Sequence, residues 1–293
     1  MKKETQGAKK VTEAAEKNRN LIPIDWGCDD LPTMPFVAQR LIGIIGDKDV
    51  EISELEELIG QDPALTMKIL QICNSALYSL SSEVTSIRHA ITLLGSENII
   101  QIAISALLAK RFMTVPSELK GHAQALWKHL LTTAILARDF SSDIEEPDLY
   151  TLGLLHDVGW LVLMAQAPKV FTSLYQEQGR PLHELEEAWG VDHQLWGAKL
   201  LERWSLPEPF QVVALRHHDP LVDAAPTPYL LIITLSNYLA SAIGNRFLET
   251  EPTEIDPRVL KALKLDEGTI QEMVDGALEE KEKIDSLCAI LGS

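Results

Sequence analysis

The sequence is poor in cysteine and lacks long apolar runs, and each shortage excludes a class of protein. Its three cysteines, Cys28, Cys73 and Cys288, are widely spaced and form no CxxC pair, so neither a disulfide framework nor a cysteine zinc site is expected. No stretch approaches the roughly 20 apolar residues of a membrane span. The charged start MKKETQGAKK lacks the apolar segment of a signal peptide. These absences predict a cytoplasmic protein.

Signals for nucleotide and nucleic-acid binding are also missing. The chain has no phosphate-cradling glycine loop, no GxGxxG fingerprint and no nucleophile elbow. Its formal net charge of −17 disfavours binding to nucleic acid or anionic lipid, because both carry charge of the same sign. We therefore expect protein partners, and we expect neither a nucleic-acid partner nor a membrane partner.

Helical periodicity dominates what is present, because apolar residues recur at three- and four-residue spacing and almost never alternate. The sequence therefore predicts an all-α fold. Asp62-Pro63 is typical of a helix start, and Gly95 of a helix end. Asn74-Ser75 is expected to cap a helix rather than to bind a ligand. Further helices are predicted at about 123–140, 147–165, 167–178, 181–204, 207–216 and 227–243.

The sequence divides into four predicted segments. The apolar pattern relaxes between Met113 and Lys120, around Pro116, and this predicts a boundary. The segments are a charged tail (1–24), a first helical lobe (25–115), a second helical lobe (116–248) and an acidic appendage (249–293). The appendage contains twelve acidic and five basic residues, and it is expected to be a packed cap or a partner-binding element.

Side chains of the metal-binding type recur along the second lobe, at His129, His156-Asp157, His193, His217-His218 and Asn237. A lone histidine is more often a core or surface residue than a ligand. The His156-Asp157 doublet, however, ends the apolar run TLGLL, and a buried ionised aspartate needs a cation or strong donors. A divalent metal such as Fe, Mn, Ni or Zn, held with His129, would meet that need. A hydrogen-bonded His-Asp network without an ion is the alternative.

Several longer motifs follow one another along the chain. The first lobe contains LPTMP at 31–35, ISELEELIGQDPALTMKILQICNSALYS from Ile52 and VTSIRHAITLLGSENI from Val84. The second lobe contains HD at 156–157, VDHQLWGAKLLERWSLPEPF and RHH at 216–218. His129 with the HD pair resembles the H…HD pattern of HD-domain metal-dependent phosphohydrolases, and the other motifs resemble, in order, those of the HDOD family of output domains. The resemblance covers about residues 25–245. It implies a two-lobed, all-helical architecture with an HD-phosphohydrolase-like second lobe, and a bacterial signalling role through other signalling proteins.

The related HD-GYP pattern implies which residues are ligands. His129, His156, Asp157, His193, His217 and His218 fall at its ligand positions, and Asn237 stands where HD enzymes normally have an aspartate. The first three are expected to form the better site, leaving the other histidines for a second ion. Trp160 occupies the position of a lysine that HD-GYP enzymes share. After the histidine pair, where those enzymes have a GYP segment, this chain has HHDPLVDAAPTP. The resemblance thus implies a degenerate site in a non-catalytic module. A metal-dependent phosphohydrolase acting on a nucleotide or cyclic dinucleotide is the alternative.

Overall fold

The computed structural model describes residues 20–27, 29, 31–45, 50–80, 82–140, 148–177, 179–222, 226–249 and 254–292. Helices and no strands occur in these ranges, which confirms the predicted all-α fold. No helix within them is long and apolar enough to cross a membrane. Cys28, residues 1–19 of the predicted tail and residues 250–253 of the predicted appendage lie outside the described residues.

Two compact units divide the chain. The N-terminal unit comprises residues 33–114 and 280–293, and the central unit comprises residues 115–279 with the described residues up to Pro32. The boundary at Glu279 falls within the last helix. The four-segment division expected from the sequence stays a prediction.

The N-terminal unit is built around one apolar helix, α5. This helix packs against α1, α3 and α4, and Ile99, Ile104, Leu108 and Phe112 on it are fully buried. Buried positions surround the helix because it is apolar on most of its faces. The helices are α1 (Phe36–Ile44), α2 (Ile52–Gly60), α3 (Pro63–Cys73), α4 (Ile87–Leu94) and α5 (Ser96–Phe112).

Local signals set the ends of these helices. Asp62 caps α3 by accepting hydrogen bonds from the backbone N–H groups of Ala64 and Leu65, at 2.9 and 3.1 Å. Gly95 separates α4 from α5 with a φ of 84°, a conformation that favours glycine. Both predicted signals are confirmed.

The Asn74-Ser75 pair is only partly a cap. Ser75 Oγ donates to the Ile72 carbonyl at 2.6 Å, as a capping side chain does. The Asn74 amide instead exchanges two hydrogen bonds with the Val84 backbone, at 2.7 and 2.8 Å. Asn74 therefore closes the loop between α3 and α4.

The central unit begins with a short 3-10 helix and continues with helices joined by short turns. Within it, α6 packs against α7 and α13, and α11 packs against α8 and α12. The helices are Ser117–Leu119 (3-10), α6 (Lys120–Arg138), α7 (Leu149–Leu155), α8 (Gly159–Gln166), α9 (Pro168–Gln176), α10 (Leu182–Trp189), α11 (His193–Arg203), α12 (Glu208–Arg216), α13 (Pro228–Ala242) and α14 (Pro257–Leu263). The last helix, α15 (Glu267–Leu291), belongs to the central unit up to Glu279 and to the N-terminal unit from Glu280.

Two predicted helices are in fact pairs of helices. The predicted helix 147–165 breaks at residues 156–158, which form the turn between α7 and α8. The predicted helix 181–204 breaks at Gly190, whose φ of 65° ends α10, and Asp192 then caps α11. Apolar periodicity continues through both breaks, so the sequence pattern alone concealed them. Each break turns a polar residue towards the interior.

The described part of the acidic C-terminal segment packs its apolar residues against α13. Ile270 is 7% exposed and lies with Leu235 and Leu239 in one apolar cluster. Leu278, later in α15, is 48% exposed. The first turns of α15 therefore belong to the core of the central unit.

Candidate metal centre

Six ligand-type side chains of the central unit meet in its interior. Helix α6 carries His129, the turn after α7 carries His156-Asp157, and α11 begins with His193. His217-His218 directly follow α12. All are at most 1% exposed except His218, which is intermediate. The structure thus brings together the six residues that the sequence analysis selected.

Asp157 is the centre of this arrangement. Its Oδ1 lies 3.1 Å from His217 Nε2 and 3.2 Å from His193 Nε2. Its Oδ2 lies 3.7 Å from His156 Nε2 and 3.9 Å from His129 Nε2. The two oxygens of one carboxylate therefore face different pairs of imidazoles.

The ring nitrogens on the far side of these imidazoles are held by hydrogen bonds. His129 Nδ1 donates to the Asn245 carbonyl at 3.0 Å, and His156 Nδ1 donates to the Gly153 carbonyl at 2.8 Å. His217 Nδ1 lies 3.1 Å from carbonyls in the last turn of α12. Because a carbonyl oxygen only accepts, Nδ1 carries the proton, and Nε2 of the neutral ring carries a lone pair.

The Nε2 lone pairs therefore point at one another and at an acceptor. His129 Nε2 and His156 Nε2 are 3.3 Å apart. Both oxygens of Asp157 and the Nε2 atoms of His193, His217 and His218 have no hydrogen-bond partner among the described residues. Buried acceptors without donors are costly, and a cation would compensate all of them at once. This geometry fits a divalent ion.

The donor atoms form two overlapping sets. The three-histidine group consists of Asp157, His193, His217 and His218, and the two-histidine group consists of His129, His156 and Asp157. Within each group, one donor atom per residue lies within 4.8 Å of the others. Imidazole nitrogens with a carboxylate oxygen suit Fe, Mn, Ni or Zn. The cluster could therefore hold such a metal.

Burial and neighbouring charges set the protonation of the cluster. Burial lowers the pKa of His156 to about 3, and it also lowers the pKa of His129, because a buried imidazolium loses its hydration. Burial alone would raise the pKa of Asp157, but the surrounding imidazoles, His217 first, hold it well below its usual range. At neutral pH the centre thus contains an ionised carboxylate beside the neutral rings of His129 and His156.

The segment that contains the sequence motifs matches a known protein family. Residues 31–220 match the HDOD domain family, about two thirds of the chain. The chain belongs to the HDOD family. The match includes every ligand-type residue of the cluster, whereas Asn237 lies beyond its end. This membership also confirms the HDOD architecture expected for the fold.

Relatives of this HDOD protein extend the similarity over most of the chain. An uncharacterized protein of Treponema pallidum (strain Nichols) is 29% identical over 241 residues, 79% of this chain. The chain spans only 45% of the length of that relative.

Solved structures share the fold. An HDOD domain protein with unknown function from Geobacter sulfurreducens has a TM-score of 0.71 at 24% identity, covering 99% of this chain and 97% of its own. A candidate signal-transduction protein from Marinobacter aquaeolei VT8 has a TM-score of 0.73 at 20% identity, covering 98% of this chain and 66% of its own.

The six ligand-type side chains are called the HDOD cluster below. Two residues next to this cluster differ from those of a hydrolytic HD site. Asn237 on α13 is 9% exposed and interacts with His129, but its Oδ1 has no hydrogen-bond partner among the described residues. Trp160 is fully buried, and its ring stacks on His193 with centroids 4.5 Å apart and planes 9° apart. An amide brings no negative charge to a metal, and an indole cannot pair with a phosphate.

Glycine allows the backbones behind the HDOD cluster to approach closely. A Cβ on Gly159, the first residue of α8, would overlap the His193 carbonyl oxygen and come within 2.7 Å of the Gly197 backbone nitrogen. A Cβ on Gly153 would lie 2.8 Å from the Cα of Ala134. Both glycines therefore position ligand-bearing elements, a role that the sequence analysis did not assign to them.

Glu186 is a further residue of the site that the sequence analysis missed. Its Oε1 lies 2.6 Å from His193 Nδ1 and also accepts a hydrogen bond from the His193 backbone N–H at 2.8 Å. Burial would lower the pKa of His193, yet the charges of Glu186 and Asp157 raise it well above its ordinary value. Glu186 lies in the acidic stretch HELEEAW, where its spacing does not distinguish it from Glu184 or Glu187.

A cavity of about 540 Å³ borders the HDOD cluster. Its wall includes His217 and His218 of the cluster and the neighbouring Asn237. Asp219, Glu254 and Asp256 also line it, together with Arg258. Arg258 Nη2 is paired with Asp256 Oδ2 at 2.5 Å. The cavity thus connects the buried donors with an acidic surface.

Proposed function

We propose that this protein is a cytoplasmic bacterial signalling module that holds a divalent metal in its HDOD cluster and acts by binding other signalling proteins. The observation that carries the proposal is a ligand set in which four imidazoles are oriented by hydrogen bonds, beside two altered hydrolytic positions. The donors support metal binding, and the altered positions argue against turnover.

The metal is proposed to stabilise the central unit. The ligands come from α6, the turn after α7, α11 and the residues after α12, so a bound ion would tie together segments distant in sequence. A ligand that binds only the folded state stabilises that state by mass action. A bound divalent ion would also supply Lewis acidity, which a hydrolase uses on phosphate oxygens.

Three features argue against phosphoester hydrolysis. Asn237 supplies an amide where a hydrolytic HD site has a carboxylate, which weakens the hold on the metal. Trp160 packs on His193 where a lysine would face a phosphate. The cavity beside the cluster is lined by three carboxylates and one arginine that is already paired, so its charge opposes a phosphorylated substrate.

The surface supports proteins as partners. A net charge of −17 opposes nucleic acid. In the N-terminal unit, Phe36 and Met67 are 66% and 67% exposed, and large apolar side chains of this kind are common at protein interfaces. The resemblance of the fold to a candidate signal-transduction protein supports the same proposal.

The test begins with elemental analysis of protein purified without chelators or added metal. The proposal expects a stoichiometric transition metal. The Mn- or Fe-loaded protein is then incubated with cyclic-di-GMP, nucleoside di- and triphosphates and generic phosphoesters. We expect no hydrolysis by the natural sequence, and hydrolysis by Asn237→Asp would support the role assigned to this residue.

Metal-dependent phosphohydrolysis is the second candidate, and the cavity that reaches His217 and His218 favours it. The His156→Ala variant separates the two functions. Hydrolysis by the natural sequence that disappears in His156→Ala would replace the binding module with an enzyme. If the natural protein contains no bound metal, neither the metal-holding module nor the metal-dependent hydrolase describes it.

A further inference from the structure

We propose that the cluster holds a single ion, and that this ion sits in the three-histidine group rather than in the two-histidine group. The inference rests on the proposed metal binding and specifies where it takes place. It reverses the order expected from the sequence, in which His129, His156 and Asp157 form the better site.

The two groups differ in the number of strong ligands. The three-histidine group offers the imidazoles of His193, His217 and His218 with one carboxylate oxygen, which is a complete set for a four-coordinate ion. The two-histidine group offers two imidazoles and one carboxylate oxygen. The neighbouring Asn237 can add only a neutral amide oxygen to it. The difference of one imidazole favours the three-histidine group.

Asp157 is also better placed for the three-histidine group. Its Oδ1 lies 3.1 and 3.2 Å from the Nε2 atoms of His217 and His193. Its Oδ2 lies 3.7 and 3.9 Å from those of His156 and His129. Ligand atoms that already lie close together need little rearrangement to enclose an ion.

Glu186 strengthens the same group as a positioning residue. Its carboxylate accepts from His193 Nδ1 and from the His193 backbone N–H, so it fixes both the tautomer and the place of that ring. A carboxylate behind a histidine ligand raises the basicity of the ring and its affinity for metal. His129 and His156 have backbone carbonyls in the corresponding position, which are neutral.

Charge limits the cluster to one ion. Two divalent ions would bring a charge of about +4 to a cluster whose imidazoles face the carboxylates of Asp157 and Glu186. One ion is balanced by these two carboxylates. A second ion would need a further negative charge, and Asn237 supplies only a neutral amide at the position where that charge would stand. Asn237→Asp is therefore expected to create a second site.

The cavity gives the three-histidine group a route to solvent. His217 and His218 line it, whereas His129 and His156 do not. An ion can therefore enter and exchange at the three-histidine group without opening the core. Because this group is rich in imidazole, Fe, Ni, Zn or Co is favoured over Mg or Ca.

The experiment measures metal stoichiometry and Co(II) absorption in the full chain. Purified protein is stripped, titrated with Co(II) or Zn(II) and analysed for bound metal. His218→Gln and His129→Gln form a matched pair, since each removes one imidazole from one group and keeps a polar side chain. Circular dichroism of each variant checks that the helices are intact.

The expected results are about one equivalent in the natural protein, retained in His129→Gln and lost in His218→Gln. Glu186→Gln is expected to weaken binding about 10- to 100-fold. Asn237→Asp is expected to bind a second equivalent. The Co(II) absorption should be lost in His218→Gln, altered in Glu186→Gln and unchanged in His129→Gln.

Loss of the ion in His129→Gln with retention in His218→Gln would overturn the inference while leaving metal binding intact. Two equivalents in the natural protein would overturn it as well. If the natural protein binds neither metal, the proposed metal-holding function fails and the inference fails with it.

Discussion

The N-terminal unit and the central unit are both helical throughout their described residues, but their interiors differ in chemistry. The N-terminal unit buries α5 with Ile99, Leu108 and Phe112, so its core is held by apolar contacts. The central unit buries an ionised Asp157 among imidazoles at similar depth. An apolar core loses stability in proportion to the volume removed from it, whereas a buried charge needs its partners. The two units should therefore respond differently to mutation, metal and pH.

Asp157→Ala is expected to have the largest effect, because it removes the charge that the surrounding histidines face. Removing one partner of a buried ionic cluster costs about 3–5 kcal/mol. The variant should also lose the rise in melting temperature that metal gives the natural protein. Calorimetry with and without Zn(II) or Fe(II) measures both quantities.

Leu108→Ala in the N-terminal unit is the matched control. It should cost about 2–5 kcal/mol through the cavity it leaves, but the metal-dependent shift should remain. A metal-dependent shift that survives in Asp157→Ala would show that the two interiors do not differ in the way described.

Gly159→Ala is expected to have the next largest effect. The added Cβ would overlap the His193 carbonyl oxygen and push α8 away from α11, at a cost of about 1–3 kcal/mol or more. Metal affinity should fall as well, since His193 begins α11. Urea unfolding and a metal titration measure the two effects.

Gly121→Ala on α6 tests whether the glycine effect is local. A Cβ there meets nothing within 4 Å, and alanine is the better helix former, so stability should rise by about 0.5–1 kcal/mol. Equal losses in the two variants would contradict the close approach assigned to Gly159.

The stability of the chelator-treated protein should change gradually with pH. The pKa of His156 is about 3 in the fold and 6.5 as the ordinary value, so between these values only the unfolded state binds the proton. Stability should therefore fall as the pH falls from 6.5, by about 1.4 kcal/mol per pH unit from this residue.

The other histidines of the centre also contribute to the pH dependence of stability. Burial also lowers the pKa values of His129 and His218, which act in the same direction, whereas the raised pKa of His193 affects stability above pH 6.5. Urea unfolding between pH 4.5 and 6.5 is the measurement. His156→Gln should show a shallower slope, and an unchanged slope would contradict burial of the neutral ring.

The sequence by itself determined the helical fold and the identity of the ligand-type residues. Asp62 and Gly95 act through their own backbone neighbours, so their roles could be predicted from local chemistry. The His156-Asp157 doublet could be selected because it ends an apolar run, where a charge must find a partner.

Only the tertiary structure decided how these residues are used. The break at residues 156–158, the selection of Glu186 from an acidic helix and the contact of His129 with the Asn245 carbonyl all depend on segments distant in sequence. Apolar periodicity records which face of a helix is buried, but not where the helix bends or which carboxylate meets a ring. The orientation of the Nε2 lone pairs follows from those distant contacts, because each proton goes to the Nδ1 that finds an acceptor.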